Sequence, residues 1–335
     1  MRTALTQTRG VCWTGPEQLY LRGRKSSRTV APNEVVVRIE SVGVCGTDVT
    51  IWRGDYPGVP AGTVLGHEFG GTIVEVGATV ADRSVGQLVA VDPNIVCGNC
   101  PECATGSRAL CSERRLMGLD LDGGLQTQIT VDAVQTIPVP GNPDPKSLGL
   151  VEPLAVGVHA CSRAGVTSGA RLGIIGGGAI GMACALQARS LGAGSVTVVE
   201  PDALRRATIE EYGVTAIAPG ETPAERWNVA IDTVGNGTTI GAVMGLMERG
   251  STICVAGLAE GGTVPPAKDL VHHELTLTGT FCYTAEDLRT AAELLAIHGL
   301  AALPNDLVHG LEQAPAAITS YAAGHLGRGK TIIIP

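Results

Sequence analysis

Aromatic side chains are scarce in this 335-residue chain: two Phe, three Trp and five Tyr, 3% of the whole. Few platforms remain on which the bases of a single-stranded nucleic acid stack. Basic charge is also short, with 24 Lys and Arg against 32 Asp and Glu and a formal net charge of −8. The basic face that a nucleic-acid partner needs is absent from that balance. No long hydrophobic run exists either. The most apolar stretch, LGIIGGGAIGMACALQA, is shorter than a bilayer span and is broken by glycines, so no membrane contact is expected. The N-terminal MRTALTQTRGVCW lacks the apolar segment of a signal peptide. Low-complexity tracts are missing too, because the 46 Gly and 19 Pro are scattered along the chain. These absences leave a cytoplasmic globular protein, long enough for two domains with their own cores.

What is present in quantity is cysteine, and it is clustered. CGNCPECATGSRALC places Cys97, Cys100, Cys103 and Cys111 in a C-x2-C-x2-C-x7-C pattern. In a reducing compartment such a cluster reads as metal ligands rather than disulfides. Short C-x2-C steps let the side chains converge while backbone amides point at the sulfurs. Four thiolates close a tetrahedral shell and leave no position for substrate, which is the chemistry of a structural zinc site. Two disulfides or an iron–sulfur cluster are the competing readings of the same spacing.

Upstream, EVVVRIESVGVCG, GTIVEVG and GQLVAVDP are short β-branched stretches closed by glycine or proline. They predict a compact, barrel-like β unit. A second set of metal-binding side chains is spread through it. Cys45 follows a strand in GVCGTD, His67 and Glu68 stand in GHEFGG, and Glu152 stands in LVEPLAVG before Pro153. One thiolate, one imidazole and one or two carboxylates form a zinc set with room for water or substrate. Singly, each has a plainer reading. A cysteine after a strand is commonly a small core residue, and a histidine in a glycine turn commonly serves a hydrogen-bond network.

The second half carries G-x-G-x-x-G at Gly176, Gly178 and Gly181. The β-branched RLGII precedes it, and an Ala-rich helix opening at Ala179 and Ile180 follows. SVTVVE then ends in Glu200, 24 positions after Gly176. Glycine lets a pyrophosphate approach the backbone, the helix N-terminus offers unpaired N–H groups, and the carboxylate receives ribose hydroxyls. A carboxylate there repels a 2′-phosphate, which favours NAD over NADP. Arg205 and Arg206 close behind weaken that preference, unless they are a solvated helix face. WNVAIDTVG, STICVAGLA and LTLTGTF continue the alternation of strand and helix expected of a parallel sheet covered on both faces.

Taken in order, GVCGTD, GHEFGG, GQLVAVDP, CGNCPECATGSRALC, VEPLAVGVHA and GIIGGGAIG resemble the zinc-dependent medium-chain alcohol dehydrogenase family over nearly the whole chain. The likeness is greatest to its polyol branch of sorbitol, threonine and butanediol dehydrogenases, where a glutamate in V-E-P-L-A replaces a second cysteine. The resemblance implies an α/β protein. Its GroES-like catalytic domain spans 1–154 and 288–335, with a structural zinc lobe at about 93–115, and is interrupted by a Rossmann NAD-binding domain at 155–287. It implies two zinc ions per chain. Cys45, His67 and Glu152 take the catalytic ion, with Glu68 ligating directly or in exchange with water, and Cys97, Cys100, Cys103 and Cys111 take the structural one. Thr47 matches the hydroxyl that receives the alcohol proton, while the glycines 176, 178 and 181 with Ala179, Ile180, Glu200 and Arg205 match the cofactor site.

The implied reaction passes hydride between a secondary alcohol or polyol, held as its alkoxide on zinc, and NAD. The implied assembly is a homodimer or homotetramer with Rossmann sheets paired edge to edge, STICVAGLA or LTLTGTF forming the edge. One departure stands out. Many relatives place a histidine three positions after the proton-handling hydroxyl, where this chain has Thr50. A biosynthetic cyclitol or amino-cyclitol dehydrogenase is the alternative within the class, and a redox-inactive nucleotide-binding protein the alternative outside it. Trp52, Tyr56, Phe281 and Tyr283 are candidates to face substrate. Cys184 and Cys254 read as core, His159 as a packing or cofactor-side residue, and His272 with His273 as solvated in a loop.

Overall fold

A computed structural model describes residues 6–26, 29–263, 267–325 and 327–335. The first five residues of the N-terminal stretch read above lie outside them. The chain divides into two units, Met1–Glu152 with Leu288–Pro335, and Pro153–Asp287.

The first unit begins with β1 (Thr6–Gly15), β2 (Gln18–Ser26), β3 (Glu34–Gly43), α1 (Gly46–Arg53), β4 (Glu68–Val76) and β5 (Leu88–Val91). It continues with β6 (Asn94–Ile95), α2 (Pro101–Ala104), β7 (Arg115–Leu116), β8 (Gln128–Asp132) and β9 (Thr136–Pro138). Helix α3 (Val151–Ala164) opens where this first stretch ends. The second unit then alternates β10 (Arg171–Ile175), α4 (Ala179–Ser190), β11 (Ser195–Val199), α5 (Ala203–Glu211) and β12 (Thr215–Ile217). After these come β13 (Trp227–Asp232), α6 (Gly237–Met244), β14 (Met247–Val255), α7 (Ala267–His273) and β15 (Thr276–Gly279). Helix α8 (Ala285–His298) returns to the first unit, which ends with β16 (Asn305–His309), α9 (Ala314–Ala322) and β17 (Lys330–Ile334).

In the first unit the sheet order is β16-β17-β3-β4-β5-β9, and β3 is shared on one side between β8 and β17. One end of β3, Glu34–Arg38, pairs β8, while Val42 and Gly43 at the other end pair β17. Register shifts against β4 at Val36/Val37 and Ile39/Ser41 add the bends that a barrel wall needs. The β-branched residues point inward: Val35, Val37, Ile39, Val42, Ile73, Val89, Val91 and Ile333 form one buried cluster with Ile51 and Phe69. Burial alternates only in part. Val35, Val36 and Val37 are buried in succession in β3, and β4 opens with four buried residues, so these strands are covered on both faces along part of their length.

In the second unit six parallel strands run β12-β11-β10-β13-β14-β15. Their carboxyl ends carry the turns at Gly176, Glu200, Thr233 and Ala256. Two expectations change here. His272 and His273 close helix α7 rather than lying in a loop, because Leu270 one turn earlier packs on the sheet core and gives the segment a helical face. Strand β14 lies inside the sheet, and β15 alone of the two stretches named for the edge occupies it. Cys161, Cys184 and Cys254 are buried. Among the described residues no helix is long and apolar enough to cross a membrane.

Candidate functional site

The chain leaves β3 at Gly43 and starts α1 at once, with Cys45 at the helix N-cap in an extended conformation. Asp48, three residues on, turns back so that its Oδ2 accepts the Cys45 N–H at 2.8 Å. This capping contact fixes the direction in which the Cys45 side chain leaves the backbone. The facing wall comes from the turn into β4. Gly66 sits there with φ +90°, a conformation that glycine adopts without strain, and His67 and Glu68 follow it into the sheet. The Gly66 N–H donates to Asp48 Oδ1 at 3.2 Å, so one buried carboxylate holds both walls.

The ligand atoms of Cys45, His67 and Glu68 all lie within 4.8 Å of one another. Thr47 Oγ1 lies 3.8 Å from Cys45 Sγ, beside the same group. Glu152, second residue of α3 and last of the first unit, is not a member of this set. Two residues to which the sequence patterns assign no role complete the surroundings: Asp48, at the end of GVCGTD, and Lys330. Asp48 Oδ1 stands 3.8 Å from His67 Nδ1. Lys330, at the start of β17, is buried with its Nζ 2.5 Å from both Glu68 oxygens. A lysine opening an otherwise apolar strand, KTIII, was the available signal for the second; an acid at the third helical position was the signal for the first.

The electrostatics describe a pocket rich in negative charge. Burial acts to lower the His67 pKa, but the Cys45 thiolate and the Asp48 carboxylate outweigh it and raise it to about 10. Burial pushes the Asp48 carboxyl up, partly offset by His67 and the Cys45 N–H. At Lys330 burial again acts downward, and the Glu68 carboxylate reverses it and holds the ammonium above its ordinary value. His67 Nδ1 is buried without a hydrogen-bond partner, and Glu68 Oε2 is met only by the charge of the Lys330 ammonium. A thiolate, an imidazole and a carboxylate oxygen, together drawing this strongly on positive charge, are the donor set of a zinc ion with an open position.

The four-cysteine segment also converges. The sulfurs of Cys97, Cys100, Cys103 and Cys111 lie within 4.8 Å of one another. Backbone N–H groups of Asn99 and Cys100 aim at Cys97 and bring its pKa down to about 7. At Cys100 the Cys103 N–H acts downward, but desolvation and the neighbouring thiols outweigh it and push it up to about 12. A second thiolate beside the first is disfavoured until a cation shares them, which is how a four-sulfur shell accepts zinc. No vacant corner remains for substrate.

In the second unit the fingerprint turn joins β10 to α4. A Cβ at Gly181 would come within 1.9 Å of the Gly176 carbonyl, so the helix approaches the turn only because that position is bare. Glu200 is buried and spends one oxygen on the Gly177 N–H at 2.8 Å and the other on the Asp202 N–H at 3.0 Å. Each carboxylate oxygen keeps a lone pair for a ribose hydroxyl. Arg206 is tied back, its guanidinium donating to the Glu200 and Pro201 carbonyls at 2.8 and 2.7 Å. Arg205 lies half-buried at the start of α5, its backbone N–H capped by Asp202 Oδ1 at 2.9 Å. His159 packs within the unit, its Nδ1 2.9 Å from Asp287 Oδ2. Of the aromatic candidates, Tyr283 is buried, Trp52 packs on the first unit's core, and Tyr56 and Phe281 are exposed.

Comparison with known proteins places these features together. Residues 31–141 match the model of the alcohol dehydrogenase GroES-like domain, and residues 179–296 that of the zinc-binding dehydrogenases. The chain is 32% identical to L-galactonate-5-dehydrogenase of Escherichia coli over 278 residues, 79% of this chain and 80% of that protein. It is 30% identical to sorbitol dehydrogenase of Arabidopsis thaliana over 275 residues, 76% of this chain and 75% of that one. A Sinorhizobium meliloti protein described as a zinc-binding dehydrogenase and solved with NADP superposes with a TM-score of 0.89. It shares 30% identity, over 98% of this chain and 100% of that one.

Proposed function

The chain belongs to the zinc-dependent medium-chain alcohol dehydrogenase family, in its polyol branch, and from that premise we propose how its own residues divide the work. It is an NAD(P)-dependent oxidoreductase that interconverts an alcohol and a carbonyl compound. The substrate is a secondary alcohol of a polyol or sugar-acid chain, in keeping with the galactonate and sorbitol named for its relatives. One observation carries the reading: Cys45, His67 and Glu68 converge beside the Thr47 hydroxyl, in a chain that also holds a closed four-thiol shell.

Cys45 and His67 would hold the catalytic zinc together with Glu152, as the family pattern implies, and with Glu68, whose carboxylate converges on them and would ligate directly or in exchange with water. Cys97, Cys100, Cys103 and Cys111 would hold the structural ion. When bound, the catalytic ion would supply Lewis-acid polarisation of an alcohol oxygen, and the dinucleotide would supply a hydride acceptor. The chain supplies everything else. Thr47 Oγ1 accepts the proton that leaves the alcohol. Asp48 holds the Cys45 turn and the His67 turn together, and Lys330 keeps the Glu68 charge neutralised inside the barrel. The Thr50 hydroxyl is spent on the Gly46 carbonyl at 3.1 Å, so the onward proton route runs through water and not through that side chain.

The turn at Gly176, Gly178 and Gly181 with the N–H groups of Ala179 and Ile180 receives the pyrophosphate. Glu200 takes the ribose, and Arg205 borders it. With Glu200 intact and Arg206 tied to the backbone, NAD is preferred over NADP. The protein works in the cytoplasm, where its ten free cysteines stay reduced, and assembles as a homodimer or homotetramer through the outer edge of β15. The direct test is nicotinamide reduction by the zinc-loaded protein across polyols, sugar acids, cyclitols and amino alcohols, with NAD and NADP in parallel. Turnover of polyols or sugar acids with NAD supports the reading. Absence of zinc from the Cys45 site after loading overturns it.

A further inference from the structure

The six-stranded sheet reverses its direction of winding between β10 and β13, with β11 and β12 on one side and β14 and β15 on the other. Ligands of open parallel sheets settle outside the carboxyl ends of the strands at such a reversal. The fingerprint turn leaves β10 there, and the loop after β13 leaves beside it. That second loop carries no recognised motif, yet it is among the most heavily tied segments of the unit.

Asp232, the last residue of β13, is fully buried. Its Oδ1 accepts the N–H groups of Val234 and Gly235, both at 2.9 Å, and its Oδ2 accepts the Thr239 hydroxyl at 2.6 Å. Its carbonyl accepts the N–H groups of Ala256 and Gly257, at 2.8 and 3.0 Å, at the end of β14. Thr233 reaches the other way. Its N–H and its hydroxyl both donate to the Ile175 carbonyl, at 3.0 and 2.7 Å, and the hydroxyl lies 3.3 Å from the Gly176 carbonyl. Gly176 itself is left-handed, φ +93°, and a Cβ there would stand 2.6 Å from the Thr233 hydroxyl. Three loops at the carboxyl edge are thus joined through two adjacent residues, the β14 loop through the Asp232 carbonyl and the β10 turn through Thr233. The hydrogen-bond partners of the Asp232 carboxylate are all neutral, and both of its oxygens accept. An amide in its place would put a donor on one side.

We propose that Asp232 and Thr233 are positioning residues for the dinucleotide: through backbone contacts they preset the β10 turn and the β13 loop in the shape the cofactor meets. A binding surface ordered in advance costs less to occupy than one that must be ordered on contact. The inference rests on the dinucleotide reading of the fingerprint given above, and it adds residues outside that fingerprint.

The test compares wild type with Thr233→Val, which keeps the side-chain shape and removes the hydroxyl. Titration with NADH and with NADPH, followed by nicotinamide fluorescence, measures affinity without turnover. The expected result is a dinucleotide Kd and KM raised roughly tenfold, the loss of about one hydrogen bond. In the same variant kcat and the alcohol KM stay within about twofold, because the reacting groups are untouched. Thr233→Ser restores the affinity. A Thr233→Val protein with wild-type Kd overturns the inference even if it melts earlier, since Thr233 is then only a stabilising residue. Should that variant fail to fold, Thr239→Val, which removes one partner of Asp232, is read against the same criterion. A wild type that binds neither dinucleotide overturns the fingerprint reading and the inference together, and the shared titration separates that case from the previous one.

Discussion

Glu68 and Lys330 meet inside the barrel 262 positions apart in sequence. Taking two charges out of water is costly, and the cost is recovered only while they stay together. Replacing Lys330 with methionine strands the Glu68 carboxylate, and we expect a loss of about 3–5 kcal/mol, read as a lower urea midpoint. Adding Glu68→Gln to the same protein should recover part of that loss, because no buried charge is left unpaired. An unchanged midpoint in the single variant would show that the pair does not hold the wall of the site. Thr47 is expected to behave differently. Thr47→Val should retain its zinc and its fold while kcat falls about 10²–10⁴-fold, the usual weight of a positioned proton acceptor, as measured by steady-state kinetics beside metal analysis.

Among elements, the clearest coupling joins α3 to the start of α8 through His159 and Asp287. Burial pushes the Asp287 carboxyl up, but the hydrogen bonds from His159 and Thr284 outweigh it and hold its pKa below the ordinary value. A depressed carboxylate favours the charged form in the fold. Its stabilisation is therefore complete above the unfolded-state value of about 3.9 and disappears as the pH falls through the lower, folded value. Thermal melts of wild type and Asp287→Asn should differ by a constant amount above about pH 5 and converge toward acid pH. Convergence toward neutral pH instead would reverse the assigned sign. The zinc lobe between β6 and β7 is a second self-contained element. Cys103→Ser should leave about one zinc per chain in place of two, with faster proteolysis within 97–111.

For the whole molecule, the exposed edge of β15 is the surface with most at stake. Its outer side has no neighbouring strand in this chain among the described residues, and Leu277 stands 40% exposed on it. An open edge invites pairing with another strand, and a two-fold axis through it aligns two copies of β15 antiparallel. The Thr280 N–H donates to the Val255 carbonyl, so the N–H groups of Thr278 and Thr280 face β14 and those of Leu277 and Gly279 face outward. Leu277→Pro therefore removes a backbone donor from that edge. We expect sedimentation to show a smaller species at micromolar concentration, with the metal content preserved. A variant sedimenting like wild type would overturn pairing through this edge.

Much of this protein could be read from its residues in order. Cysteine spacing marks the four-sulfur shell because thiolates that share a metal must be close in sequence to converge cheaply. The strand–glycine–helix fingerprint marks the nucleotide fold because the chemistry and the turn occupy the same few residues. The short β-branched stretches mark the barrel wall for a similar reason, since strand preference is local. The partners that complete each site were not legible in this way. Lys330 reaches Glu68 only because β17 lies against β3, and Thr233 reaches Ile175 only because β13 lies beside β10. Neither strand order follows from composition or periodicity. The same holds for Asp48, whose place at a helix start was visible but whose hold on the facing turn at Gly66 was not. Local chemistry is written in neighbouring residues; charge neutralisation and loop geometry across a sheet depend on which strands the folded core brings side by side.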